Sequence, residues 1–128
     1  MEKQHQNDRK VSIRDLYFKL RKENPNLNVR DIADKISKSP APKFYCSYEN
    51  ARRMISLLDM GKKLPISNTN KVAMYKDIYM IWSKKYKGNT HSRAIYRDTL
   101  SKILNSQAPS YYLDVDTVIA LIYRSFKV

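Results

Sequence analysis

The sequence predicts an all-α protein made of two tandem three-helix repeats docked into one compact six-helix domain. Apolar residues recur at helical spacing, and a stretch of the first half of the chain returns 67 residues later. Only short segments around Tyr45 and Tyr112 resemble β-strands. At 128 residues the chain has the length of one ordinary domain, or of two very small ones in contact.

The repeat is clearest around a proline-containing connector. The sequence Pro-Ala-Pro-Lys-Phe-Tyr at residues 40–45 returns as Gln-Ala-Pro-Ser-Tyr-Tyr at residues 107–112. Over a longer stretch, residues 30–57 match residues 97–124 at nine of 28 positions, well above chance. We therefore interpret the chain as two copies of one plan.

The first repeat predicts three helices. The first covers about residues 11–23, and Asn28 and Ser47 cap the next two, because their side-chain oxygens can accept from a free amide of the first turn. Gly61 ends the third helix. The predicted inward-facing residues are Ile13, Leu16, Tyr17, Leu20, Val29, Ile32, Ala33, Ile36, Ala51, Met54, Ile55 and Leu58.

The second repeat follows the same plan. Asn70 is predicted to cap a helix that runs to about Tyr86, and Thr90 or Ser92 to begin the next one. Asp114 is predicted to cap the last helix. The predicted inward-facing residues are Met74, Tyr75, Ile78, Tyr79, Trp82, Ile95, Thr99, Ile103, Leu104, Val118, Leu121, Ile122 and Ser125.

These boundaries give a domain plan. Residues 1–10 are polar and are predicted to form a disordered or poorly ordered tail. Residues 11–61 form the first repeat, residues 62–69 a linker and residues 70–128 the second repeat. Each repeat alone buries little apolar surface, so we expect the two to share one core.

The connectors have two interpretations. In the favoured one, the prolines stiffen the chain and the aromatic residues fill the gap between the flanking helices. In the other, Tyr45 and Tyr112, or Phe44 and Tyr111, are presented to a binding partner.

Several functional classes are excluded by composition. One cysteine and two histidines give neither a disulfide nor a zinc-site spacing. Two glycines cannot build a glycine-rich phosphate loop, and the carboxylates next to Arg or Lys are typical of helix ion pairs. The longest apolar run, residues 118–123, is too short to span a membrane, and residues 1–10 lack the apolar core of a signal peptide. We expect no catalysis, cofactor, metal or membrane partner.

The charge points to a polyanionic partner. Lys and Arg outnumber Asp and Glu by 25 to 12, a formal net charge of +13. Self-repulsion of this size destabilises a folded protein unless a polyanion relieves it, and phosphate is the usual one. Any single cluster is also compatible with a solvated surface, but residues 70–102 alone carry +6. The residues predicted to contact nucleic acid are Arg52, Arg53, Lys62, Lys63, Lys84, Lys85, Lys87, Arg93 and Arg97.

Residues 29–36 and 47–55 with their connector resemble a helix-turn-helix, whose second helix presents polar and basic side chains to the major groove. The candidate reading face is Tyr48, Glu49, Asn50, Arg52 and Arg53. The connector of about eight residues departs from the three or four of that motif, which favours phosphate contacts over base reading.

The connector motif and the following Ser-capped helix with Ala51-Arg52-Arg53 resemble small basic proteins of Bacteroidales and of the bacteriophages that infect them. The resemblance covers chiefly residues 30–80. It implies a phage or mobile-element setting, without a particular activity or functional residues.

We therefore expect a small basic protein that binds nucleic acid, duplex DNA in the first place, mainly through phosphates. The alternative is a non-enzymatic virion protein, a minor capsid or connector component, whose basic face meets packaged DNA or an acidic partner subunit. A DNA binder shows steep salt dependence, alone or as a small oligomer, whereas a structural subunit needs an apolar patch and high-order assembly. The expected location is the cytoplasm of a bacterial host cell, or the virion under the alternative.

Overall fold

The structure is a computed structural model that describes the backbone of residues 2–86 and 93–126 and the side chains of residues 5–85 and 96–124. Within these ranges the chain forms six α-helices and no strand, which confirms the predicted all-α class. The helices are α1 (Glu2–Glu23), α2 (Val29–Ser37), α3 (Tyr48–Asp59), α4 (Thr69–Tyr86), α5 (Arg93–Leu104) and α6 (Val115–Phe126).

The prediction of a poorly ordered tail at residues 1–10 is corrected by α1, which already begins at Glu2. The added turns contain Glu, Lys, Gln and Arg, which are good helix formers, and neither Gly nor Pro interrupts them. Apolar periodicity reports only the buried face of a helix, so a polar extension leaves no such signal in the sequence.

Three predicted helix caps are confirmed. The side-chain oxygens of Asn28, Ser47 and Asp114 accept from the backbone amide three residues further on, at 2.8, 3.2 and 2.8 Å. At the other end of α3, Gly61 has a φ of +72°. Its amide and that of Lys62 donate back to carbonyls of the last turn of α3, at 3.0 and 2.9 Å. This left-handed turn is the reason that a glycine ends the helix.

The start of α4 differs from the prediction. Asn68 Oδ1 accepts from the amides of Asn70 and Lys71, at 3.0 and 3.1 Å, so Asn68 is the cap and the predicted Asn70 lies inside the helix. Two asparagines only two residues apart both fit the capping pattern, and local propensity does not choose between them. The predicted starts at Thr90 or Ser92 lie outside the described residues.

The chain divides into two compact units. Unit 1 comprises Met1–Ala41 and Ala108–Val128, and in it α1, α2 and α6 pack against one another. Leu16, Leu20 and Val29, predicted to face inward, are only half-buried. The buried residues of unit 1 are Ile13, Tyr17, Ile32, Ala33, Ile36, Ala41, Ala108, Tyr111, Val118, Leu121 and Ile122.

Unit 2 is the continuous segment Pro42–Gln107, in which α3, α4 and α5 pack against one another. Leu100, which aligns with Ala33 in the repeat, is fully buried although it was not among the predicted core residues. The buried residues of unit 2 are Phe44, Cys46, Ala51, Met54, Ile55, Leu64, Met74, Tyr75, Ile78, Trp82, Leu100, Ile103 and Leu104.

The packing units differ from the predicted division at residues 61 and 70. The third helix of the second predicted repeat, α6, packs on α1 and α2 of the first repeat. The third helix of the first repeat, α3, packs on α4 and α5 of the second repeat. Each unit thus combines helices of both predicted repeats. The apolar faces of α3 and α6 align in the repeat, with Ile55 opposite Ile122, so helical periodicity cannot tell which partner each helix takes. The duplication itself stays an inference from the sequence.

Equivalent residues of the two connectors pair with each other or are buried alike. Ala41 and Ala108, equivalent in the repeat, exchange two backbone hydrogen bonds of 3.0 and 2.9 Å and close unit 1 where the chain leaves and re-enters it. The Phe44 amide donates to the Leu104 carbonyl at 3.0 Å and ties the ends of unit 2 in the same way. Phe44 and Tyr111 are buried. The helices that flank each connector belong to different units, so the filling of a gap between those helices stays a prediction.

The Asp114 cap predicts a local acid sensitivity. Hydrogen bonds from the Thr117 side chain and amide hold the pKa of Asp114 below its ordinary value. A carboxylate with a lowered pKa in the folded state stabilises the fold above about pH 4, and this contribution is lost as pH falls through the lowered pKa. We expect Asp114→Asn, which can still cap the helix, to lose less stability between pH 7 and pH 3 than the native protein does in urea denaturation.

The exposed carboxylate variant Asp98→Asn is the matched control for removal of one negative charge. If Asp114→Asn and the native protein lose equal stability on acidification, the cap carries no acid-sensitive contribution.

Candidate nucleic-acid interface

Every residue predicted to contact nucleic acid belongs to unit 2. This unit carries thirteen Lys and Arg against four Asp and Glu, a formal charge of +9, whereas unit 1 carries +4. The division by packing therefore separates the charge more sharply than the division by sequence repeats does.

Helix α3 contributes two exposed arginines. Arg52 Nη2 donates to Glu49 Oε2 at 3.1 Å, and Arg53 Nη2 donates to Asn50 Oδ1 at 3.0 Å. The hydrogen bond that Arg52 donates to Glu49, aided by the negative charge of that carboxylate, raises the pKa of Arg52. Exposed pairs of this kind contribute little to stability and exchange readily with water or another anion, so both guanidinium groups remain accessible to a ligand.

Tyr48 links α3 to α5 through an arginine. The Arg97 guanidinium carbon lies 5.6 Å from the centre of the half-buried Tyr48 ring, and Arg97 itself is exposed. Tyr48 and Tyr96 are close enough to Arg52 to affect its pKa. Behind this group, the ring of Tyr96 lies 5.4 Å from the buried ring of Trp82 in α4. We call Tyr48, Arg52 and Arg97 the arginine–tyrosine cluster.

The predicted lysines fall into two groups. Lys62 and Lys63 are exposed in the loop after α3, which leads into α4. Lys84 and Lys85 are exposed in the last turn of α4. The first and last turns of α4 are about 24 Å apart at 1.5 Å per residue. The structure thus spreads the predicted contact residues along unit 2 instead of joining them in one patch.

Two predicted contact residues cannot be placed in this geometry. Lys87 lies outside the described residues. Arg93 begins α5, and its side chain is outside the described ones.

The structure does not support the resemblance to a helix-turn-helix. That motif requires its two helices to pack together, but α2 packs on α1 and α6, and α3 packs on α4 and α5. Asn50, the side chain best suited to read an adenine, accepts from Arg53 on its own helix.

Sequence reasoning also missed cationic residues. Lys71, Lys76 and Lys102 are exposed on α4 and α5 of the same unit. The net charge of residues 70–102 includes them, but they form no run and so were not singled out. The contact of Arg97 with Tyr48 leaves no signal in the sequence, because 49 residues separate the two.

Other kinds of site find no support in the described part of the chain. Its His, Cys, Asp and Glu side chains form no group of three that could hold a metal ion, and its helices include none long and apolar enough to cross a membrane. Comparisons with protein-family models, curated proteins and solved structures find no match.

Proposed function

We propose that this protein binds nucleic acid, duplex DNA in the first place, through phosphate contacts made by unit 2. The observation that carries the proposal is the charge of Pro42–Gln107, +9 of the total +13. Among the side chains that the structure describes, every lysine and arginine of this segment except Lys43 is exposed. A polyanion that neutralises this surface releases its own counterions, which drives binding, and it removes the repulsion between the lysines and arginines.

The spacing of the cationic groups suits an extended polyanion. The two ends of α4, each with a lysine pair at or near it, are about 24 Å apart, or about seven steps of a DNA strand at 3.4 Å per step. A small anion would occupy only one of these groups. A phosphate backbone reaches both.

Binding of this kind favours phosphate over base sequence. The first helix of the supposed helix-turn-helix, α2, packs with α1 and α6 in unit 1, whereas α3 packs with α4 and α5 in unit 2, so the motif that would fix α3 in a groove is not formed. We therefore propose broad affinity for nucleic acid, in the phage or mobile-element setting that the resemblance implies.

A second candidate is the virion structural protein. Its support is a set of large apolar side chains that are about half exposed, which a subunit could bury in an assembly. They are Val11, Phe18, Met60, Met80 and Tyr123, at 45, 50, 57, 55 and 55 % exposure.

Purification at low salt separates the two candidates. At about 50 mM salt, where phosphate contacts are strong, we expect the protein to carry nucleic acid, seen as an ultraviolet spectrum dominated by bases. Nuclease treatment should leave a monomer or small oligomer on size-exclusion chromatography. A large assembly that is free of nucleic acid and insensitive to nuclease would instead support the structural subunit.

A further inference from the structure

Two arginines at equivalent positions of the two units have different partners. In unit 1, Arg30 Nη2 donates to Asp116 Oδ1 at 2.9 Å, which forms an exposed ion pair between α2 and α6. By the 67-residue repeat, the equivalent residues of unit 2 are Arg97 on α5 and Glu49 on α3. The same ion pair could form there, but it does not.

In unit 2 the carboxylate has another partner. Glu49 pairs with Arg52, and the residue equivalent to Arg52 in unit 1 is Ile119. The Arg97 guanidinium lies over the ring of Tyr48 instead, where unit 1 has Val115. Among the described carboxylates, none forms an ion pair with Arg97. The changes together leave an excess of positive charge at this corner of unit 2 and a neutral pair at the matching corner of unit 1.

The cation–π contact with Tyr48 prepares the Arg97 guanidinium to bind an oxyanion. A guanidinium held over an aromatic ring samples fewer orientations than a free one, and its N–H groups remain available as donors. Such a fork matches two oxygens of one phosphate and loses less side-chain freedom on binding than a mobile lysine does. Arg52, four residues after Tyr48 on α3, supplies a second guanidinium on the same side of the fold as the Tyr48–Arg97 contact.

We propose that Arg97 and Arg52, with Tyr48 as the platform, form a phosphodiester clamp in which the phosphate takes the place of Glu49 on Arg52. The equivalent corner of unit 1 has a single arginine, Arg30, whose charge Asp116 offsets. The clamp rests on the proposed function and specifies which side chains hold the backbone most firmly. It also makes the two units unequal: unit 2 binds the phosphate, and unit 1 does not.

The test compares two equivalent arginines in the full chain. Arg97→Gln should weaken binding to a random duplex about eightfold at about 0.1 M salt and should reduce the slope of log affinity against log salt by about 0.9. Arg30→Gln removes the same charge from unit 1 and should change the affinity by less than about twofold and leave the slope unaltered, since Asp116 already pairs with Arg30. Circular dichroism should show that both variants keep the native helix content.

Equal losses for the two variants would overturn the clamp while leaving the proposed function intact, because affinity would then follow total charge. A small-anion titration separates the two claims. With inorganic pyrophosphate added to the native full chain, the arginine Nε–Hε NMR signals of Arg52 and Arg97 should shift and that of Arg30 should not. If the native protein fails to bind DNA but these two signals shift, the clamp stands and the nucleic-acid function falls; if they do not shift, the clamp falls.

Discussion

Changing Lys84 and Lys85 together to glutamine should weaken the binding of any duplex about 60-fold at about 0.1 M salt, or about eightfold for each lost phosphate contact. The two lysines are exposed in the last turn of α4, within the unit that holds most of the charge. Since phosphates are identical along DNA, a random pool and an enriched site should lose affinity alike. Fluorescence anisotropy at one fixed salt concentration measures both.

The matched control removes two exposed lysines from unit 1. Lys19 and Lys22 lie on α1, and their change to glutamine alters the net charge of the protein by the same amount. We expect this control to bind within a factor of about two of the native protein, the residual effect of long-range charge. The double variant Asn50→Ala, Arg52→Ala tests base reading by α3. If it lost affinity for the enriched site but not for the random pool, and the Lys84/Lys85 variant lost no affinity, α3 would read bases.

Replacing Phe44 with alanine should lower the free energy of unfolding by about 3–5 kcal/mol, because the ring is lost and its cavity only partly collapses. Phe44 is 1 % exposed, and its own backbone amide donates to the Leu104 carbonyl. Phe18 is 50 % exposed on α1 and its ring contacts that of Tyr17, so Phe18→Ala should cost only about 1 kcal/mol. Urea denaturation measures both; equal effects would contradict the core role of the connector aromatics.

The helices and most of their buried faces could be predicted from local sequence. Apolar spacing found Ile32, Ile36 and Ile55, which are fully buried, and capping chemistry found Ser47 and Asp114. These features depend on residues within a few positions of one another, and such short-range patterns are what a single sequence records.

The pairing of helices could not be predicted in the same way. The apolar faces of α3 and α6 align in the repeat, so the sequence is compatible with either helix packing on α1 and α2 or on α4 and α5. The choice between them depends on how the complete helix surfaces fit together. The start of α1 was missed for a different reason, since polar helix formers extend a helix without marking a buried face.

The candidate site was predictable in charge but not in geometry. Net charge located Lys84 and Arg97 in the basic residues 70–102, and Arg52 was a candidate in the other repeat. The sequence does not show that Arg97 lies over the Tyr48 ring, or that Asp116 pairs with Arg30 at the equivalent place. Contacts between residues far apart in the chain are set by tertiary packing, and they decide which of many similar charges remain available to a ligand.

The most direct test of the central claim, phosphate binding by unit 2, is the affinity of the native protein for a random duplex as a function of salt. With about five phosphate contacts, log affinity should fall against log salt with a slope of about −4.5, so binding weakens a few hundredfold between about 50 and about 200 mM salt. A smaller slope for the Lys84/Lys85 variant, by about 1.8, would place these contacts on unit 2. An affinity that does not change with salt, or no binding at about 50 mM, would contradict the account.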